Sequence, residues 1–232
     1  MWFELALKRF VRERSERTAL IDELMDVIVG DSSSSVKGVI DDGPGVCMRF
    51  FLSLGNVAYR SGDSDVFECF LRALFEVVEA RPEGVDCEGL MGHVRDYGFR
   101  SMRDFDAAMF GVLVEAVAGR VFSMRDVAEI DGWLGFLRDL GLRSAEAGFD
   151  GGVLAVADVF KLLGVHFVRE GLGVSAMSLR NHIVGLVHYL GGAGDDRLKS
   201  RVIYLVKGVL DPPEAPKAPV DDGVSVGSPP VA

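Results

Sequence analysis

The chain has 232 residues and a formal net charge of −10, which fits one large domain with an acidic surface. That balance opposes general binding to nucleic acid or to an anionic membrane, because phosphate recognition needs a basic footprint. Three cysteines, Cys47, Cys69 and Cys87, are too few and too scattered for a disulfide framework or a C-x-x-C metal motif. They read as free thiols in a reducing compartment, and the chain as cytoplasmic.

In chain order, residues 2–13 and 15–29 show apolar positions three and four apart, the mark of amphipathic helices. Trp2, Phe3 and Leu7 with Lys8, Arg9 and Arg12 could form a peripheral membrane anchor. Glu4, Glu13 and Glu16 are mixed among the bases, so an end helix docked on its neighbour is preferred. Residues 30–45 hold four consecutive serines, Asp41-Asp42 and Gly43-Pro44-Gly45, and read as a long polar loop. Helices are expected over 46–59 and 63–80, the second stopped before Pro82.

The next stretch says one phrase twice. Arg95-Asp96-Tyr97-Gly98-Phe99-Arg100-Ser101 returns 43 positions later as Arg138-Asp139-Leu140-Gly141-Leu142-Arg143-Ser144. Weaker copies are read at Asn56–Asp63 and at Tyr189-Leu190-Gly191. Glycine suits the residue after a helix, so Gly98 and Gly141 are expected to turn the chain, with Ser101 and Ser144 capping the next helices. On that reading helices cover 86–97, 102–121, 124–140, 145–169, 175–190 and 195–210. Ser123-Met124-Arg125-Asp126 has the pattern of a capping box. Trp133, Phe136, Leu137 and Leu140 show helical spacing with Arg138 and Asp139 between them, as in a half-exposed helix. Residues 153–168 are apolar on nearly all sides and are expected to be covered on several of them. Asp158 and Lys161 mark either one open face of that helix or a strained functional pair, and the open face is preferred. Residues 211–232 hold six of the eight prolines and few large apolar side chains, and read as a disordered tail.

With this twinned phrase and a period near 40, the chain resembles the HEAT/armadillo-like α-solenoids, particularly the short archaeal and bacterial repeat proteins of that type. The resemblance covers residues 19–210. It implies an all-α fold, a right-handed superhelix of about ten helices stacked as antiparallel pairs, in one domain over residues 1–210. It also implies a concave surface that binds another macromolecule.

No chemistry-bearing motif competes with that picture. His93, His166, His182 and His188 lack the spacing of zinc ligands, and no P-loop, dinucleotide fingerprint or nucleophile elbow occurs. No cofactor, metal or catalytic residue is assigned. Arg95 with Arg138, and Arg100 with Arg143, fall at equivalent places in successive repeats and would stack into ladders facing an acidic partner. Asp96 and Asp139 beside them offer the alternative of ion pairs between repeats. The expectation is therefore a non-enzymatic scaffold or adaptor that binds a protein, not nucleic acid. The alternatives are a HEAT-like enzyme or nucleic-acid-processing protein using the concave face, and the cytoplasmic part of a membrane system.

Overall fold

The computed structural model describes residue 10 and residues 17–28, 44–80 and 87–210, and among them the chain is all-helical with no strand. Nine helices follow one another among these residues: α1 (Arg17–Ile28), α2 (Pro44–Ser61), α3 (Ser64–Ala80), α4 (Cys87–Arg103), α5 (Ala107–Ser123), α6 (Val127–Glu146), α7 (Asp150–Arg169), α8 (Gly173–Gly192) and α9 (Asp196–Leu210). The polar loop ends earlier than its composition suggests, since α2 already starts at Pro44, whose fixed φ suits a first helical position. Of the helix expected over 2–13 only residue 10 is described, and most of that loop and residues 211–232 lie outside the described residues.

Helices pack on their chain neighbours and on the helix after next. α1, α3, α5, α7 and α9 touch in succession, and α4, α6 and α8 do the same. The core runs unbroken through the described chain, with Phe51, Phe67, Phe70, Phe110, Phe160 and Phe167 fully buried in it. Around Tyr97 the rings interlock: Tyr59, Phe67 and Phe70 lie 5.5, 5.1 and 5.9 Å from it, the last two edge-to-face. Such contacts add directional preference to apolar burial.

The turns are not where the glycines of the repeated phrase suggest. α4 runs through Gly98 and α6 through Gly141, and each continues for more than a turn, to Arg103 and Glu146. Ser101 and Ser144 cap nothing. Both are buried inside their helices, where the Ser101 hydroxyl donates to the Tyr97 carbonyl at 2.9 Å. The chain actually reverses at Gly62, Phe105, Gly148, Gly171 and Gly194, all at positive φ. In each case the following amide, of Asp63, Asp106, Phe149, Leu172 or Asp195, reaches back to the carbonyl five residues earlier. This is the Schellman closure of a helix end. Phe105, at φ 53°, takes without glycine's freedom the conformation its counterparts take with it. Asp106 and Asp195 then cap the next helix, their carboxylates accepting from the amides of Met109 and Leu198 at 3.0 Å. At the start of α6 the cap is Asp126, accepting from the Glu129 N–H at 2.8 Å, and Ser123 belongs to the end of α5.

Gly98 serves close approach instead, and Gly141 is buried in ordinary contact. A methyl group on Gly98 would stand 2.8 Å from Cδ2 of Leu140 on α6, and one on Gly141 3.4 Å from both methyls of Leu186 on α8. Gly55 of α2, 43 residues before Gly98, is covered too, by the Phe70 ring of α3. The first copy of the phrase is therefore 52–58, four residues ahead of Asn56. Since Leu186 takes the place of Leu140, the last copy lies 46 positions on rather than 50.

Residues 153–168 are also less covered than expected. Leu162, Val165 and Val168 are more than half exposed, as are Val174 and Met177 at the start of α8. Asp158 and Lys161 lie on this open face.

Gly98→Ala is expected to lower stability by about 1–3 kcal/mol through overpacking against Leu140. Gly92→Ala, on the exposed side of the same helix where an added methyl meets nothing, should raise it by up to about 1 kcal/mol. Urea denaturation of both variants checks the contrast.

Candidate binding groove

The four arginines of the repeated phrase have different fates. Arg100 donates to Oδ1 of Asn56 on α2 at 2.9 Å and lies over the Tyr97 ring. Arg143 makes the equivalent reach from α6 to α4, its guanidinium 4.9 Å from the centre of the Phe99 ring. These two form a ladder, but each rung is a tie between helices of the fold. Arg138 bonds its neighbour Asp139 at 3.0 Å, within one helix rather than between repeats. Arg95 has no hydrogen bond or ion pair among the described residues. Its guanidinium stands 6.0 Å above the Phe136 ring, at the outer reach of a cation–π contact.

Arg95 stands where two clefts join. The larger, of about 510 Å³, is floored by Met91, Trp133 and Phe136 and closed by Val78 of α3 and Met124. The smaller, of about 340 Å³, runs on past Phe99, Asp139 and Arg143. Arg95, Gly132 and Phe136 line both, so one groove follows the surface of α4 and α6. Trp133 is held edge-on between Phe75 and Phe136, with ring centres 5.5 and 6.0 Å away. Gly132 opens the floor, since a Cβ added there would meet nothing within 4 Å. The larger cleft has the size of ordinary ligand sites. Its rim carries Arg120, paired with Glu79 at 2.6 Å, and Glu129. The groove thus offers an apolar aromatic floor, at its middle a guanidinium with no ion pair among the described residues, and a second, stacked on Phe99, at one end. It holds no nucleophile–base pair.

A second polar cluster lies between α6 and α8. Asp131 accepts hydrogen bonds from the Ser178 hydroxyl and, at 3.1 Å, from Nε2 of His182. These bonds hold the Asp131 carboxyl below its usual range, Ser178 contributing most and His182 next. Serine and histidine both bond the carboxylate rather than each other, which ties two helices and leaves the hydroxyl without a base. Nδ1 of His182 is buried with no hydrogen-bond partner among the described residues, as is Nε2 of His166, which packs against Phe122 with ring centres 4.8 Å apart. Among the described residues no three His, Cys, Asp or Glu side chains gather as a metal site. Cys69 is a half-buried thiol pushed up in pKa by burial, and Tyr97 is pushed well up for the same reason.

No protein-family model matches this chain, and neither a curated protein nor a solved structure matches it.

The sequence singled out the arginines but missed Trp133, Phe136, Met91 and Gly132 as a site. Trp133 and Phe136 were legible as one apolar helix face; that the face opens into a groove depends on α3 and α4, which lie well before them in the chain.

Asp131→Asn should lower stability at pH 7 by no more than about 1 kcal/mol, as for other exposed polar ties. Asp131 is depressed in the folded state, so its contribution is present above the unfolded carboxylate pKa and is lost as pH falls through the folded one. The gap between variant and parent is therefore expected to close in acid. Denaturation of both proteins from pH 7 downwards measures it.

Proposed function

We propose that this chain is a HEAT/armadillo-like α-solenoid acting as a non-enzymatic scaffold, with a protein partner held in the groove over α4 and α6. The succession of contacts from α1 to α9 and from α4 to α8 supports the stacked architecture, because the main contacts of each helix are with near neighbours. The observation that carries the partner reading is Arg95, a guanidinium with no ion pair among the described residues at the junction of two clefts above Phe136. Arginine beside aromatic side chains is the composition of interface hot spots, where a flat cation and large rings give much contact for little ordering cost. Met91 and Met124 line the same walls with side chains that adapt to varied shapes. The fitting ligand is a polypeptide segment carrying a carboxylate next to a bulky apolar side chain. The carboxylate meets Arg95 and the apolar group takes the Trp133–Phe136 floor.

The test is affinity capture from native lysate with mass spectrometry, using the full chain, Arg95→Glu and Gly132→Leu. Arg95→Glu reverses the charge, and Gly132→Leu fills the floor from a point where an added Cβ meets nothing within 4 Å. A stoichiometric protein partner is expected with the parent. Both variants should weaken its capture by about tenfold or more at unchanged melting temperature. A partner retained by both variants, or the recovery of nucleic acid alone, overturns the reading.

A further inference from the structure

The open face of α7 has an order that its overall apolarity hides. Its core side is filled by Val153, Val156, Phe160, Leu163 and Phe167, all fully buried. Outside runs a second stripe: Gly151, Leu154, Asp158, Lys161, Val165 and Val168. The steps alternate between three and four residues, the spacing of a coiled-coil seam. Leu154 is half-buried and the other five are exposed, with Val165 63% and Val168 62% accessible. Asp158 and Lys161 stand in the middle, and neither forms a hydrogen bond or ion pair among the described residues.

We propose that this stripe is a self-association surface, on which α7 packs antiparallel against α7 of a second copy of the chain. The charges argue for that occupant. About a two-fold axis midway between residues 158 and 161, Asp158 of each copy meets Lys161 of the other, so both free charges are paired twice over. The same operation sets Leu154 against Val165 and Gly151 against Val168, so every bulky position finds an apolar or small partner. A closed two-fold contact needs this kind of self-complementary patch. Helix α7 has 20 residues and is therefore about 30 Å long, enough for a seam of several turns. Beside it, Leu154 and Asp158 share a groove of about 400 Å³ with Arg201, Tyr204 and Leu205 of α9. Tyr204 is 81% exposed and widens the apolar area at the flank. A lipid surface is the poorer occupant, although α7 has the length and apolarity of a membrane-crossing helix. Two charges at the centre of the stripe oppose insertion into hydrocarbon, whereas two copies of the chain neutralise each other's.

Size-exclusion chromatography with light scattering on the full chain tests this. The parent is expected at twice the 25.1 kDa chain mass at tens of micromolar. Asp158→Lys places like charges across the axis, as does Lys161→Asp, so each variant alone should run at the monomer mass. Mixed in equal amounts, one variant presents two cations where the other presents two carboxylates, and the double mass should return. Val165→Glu supplies an independent break that mixing does not repair. All three changes are on exposed positions, and circular dichroism should show unchanged helicity. A monomeric parent, variants that pair as the parent does, or a mixture that stays monomeric overturns the proposal. So does binding of the parent to phosphatidylcholine–phosphatidylserine vesicles through this face with no dimer in solution.

Discussion

The contact on which the arrangement depends is the one between Leu140 and Gly98. Because Gly98 carries no side chain, α6 can settle on α4 until a leucine methyl occupies the space beside its bare Cα. Leu186 meets Gly141 in ordinary contact, and Gly55 lies under the Phe70 ring of α3. Cores are packed at crystal-like density, so the separation of helices is fixed by which side chains stand between them. A carbon added at Gly98 would stand 2.8 Å from a methyl of Leu140, so that buried leucine would have to give way. Gly98 is thus a point of close approach between α4 and α6.

The ends of the helices solve a second constraint in one repeated way. A helix leaves its last carbonyls unpaired, and five connections here satisfy them through a residue at positive φ followed by a long reach back. Four of the five use glycine; Phe105 holds the same conformation while its ring packs 5.7 Å from Phe149. The ring contact offsets the cost of placing a side chain there. Where aspartate follows the turn, as at Asp106 and Asp195, one residue closes the first helix and opens the next, which keeps the connection short.

Two surfaces result. On α4 and α6, Arg100 is tied to Asn56, Arg143 is stacked on Phe99, and Arg138 is neutralised by Asp139. Arg95 is left with an aromatic floor beneath it. On α7 the core takes one face, and the opposite face carries a stripe with a charge of each sign at its middle. The first surface is the one proposed to receive a foreign segment, and the second the one proposed to pair with itself.

The all-helical content and the preferred open face at Asp158 and Lys161 were legible in the sequence alone, because each is a matter of local spacing along the chain. The roles of the glycines were not. Glycine ends helices by adopting positive φ, and it also permits close approach inside them; the two uses look the same in one sequence. Tertiary structure decided between them, since only the position of Leu140 and Leu186 shows that Gly98 and Gly141 are covered. The same holds for α7: a helix apolar all round predicts burial, and which stripe stays open depends on where α5, α6, α8 and α9 stand. Trp133 and Phe136 became a groove for the same reason. A side chain's type can be read from the chain, but the space in front of it is set by residues distant in sequence.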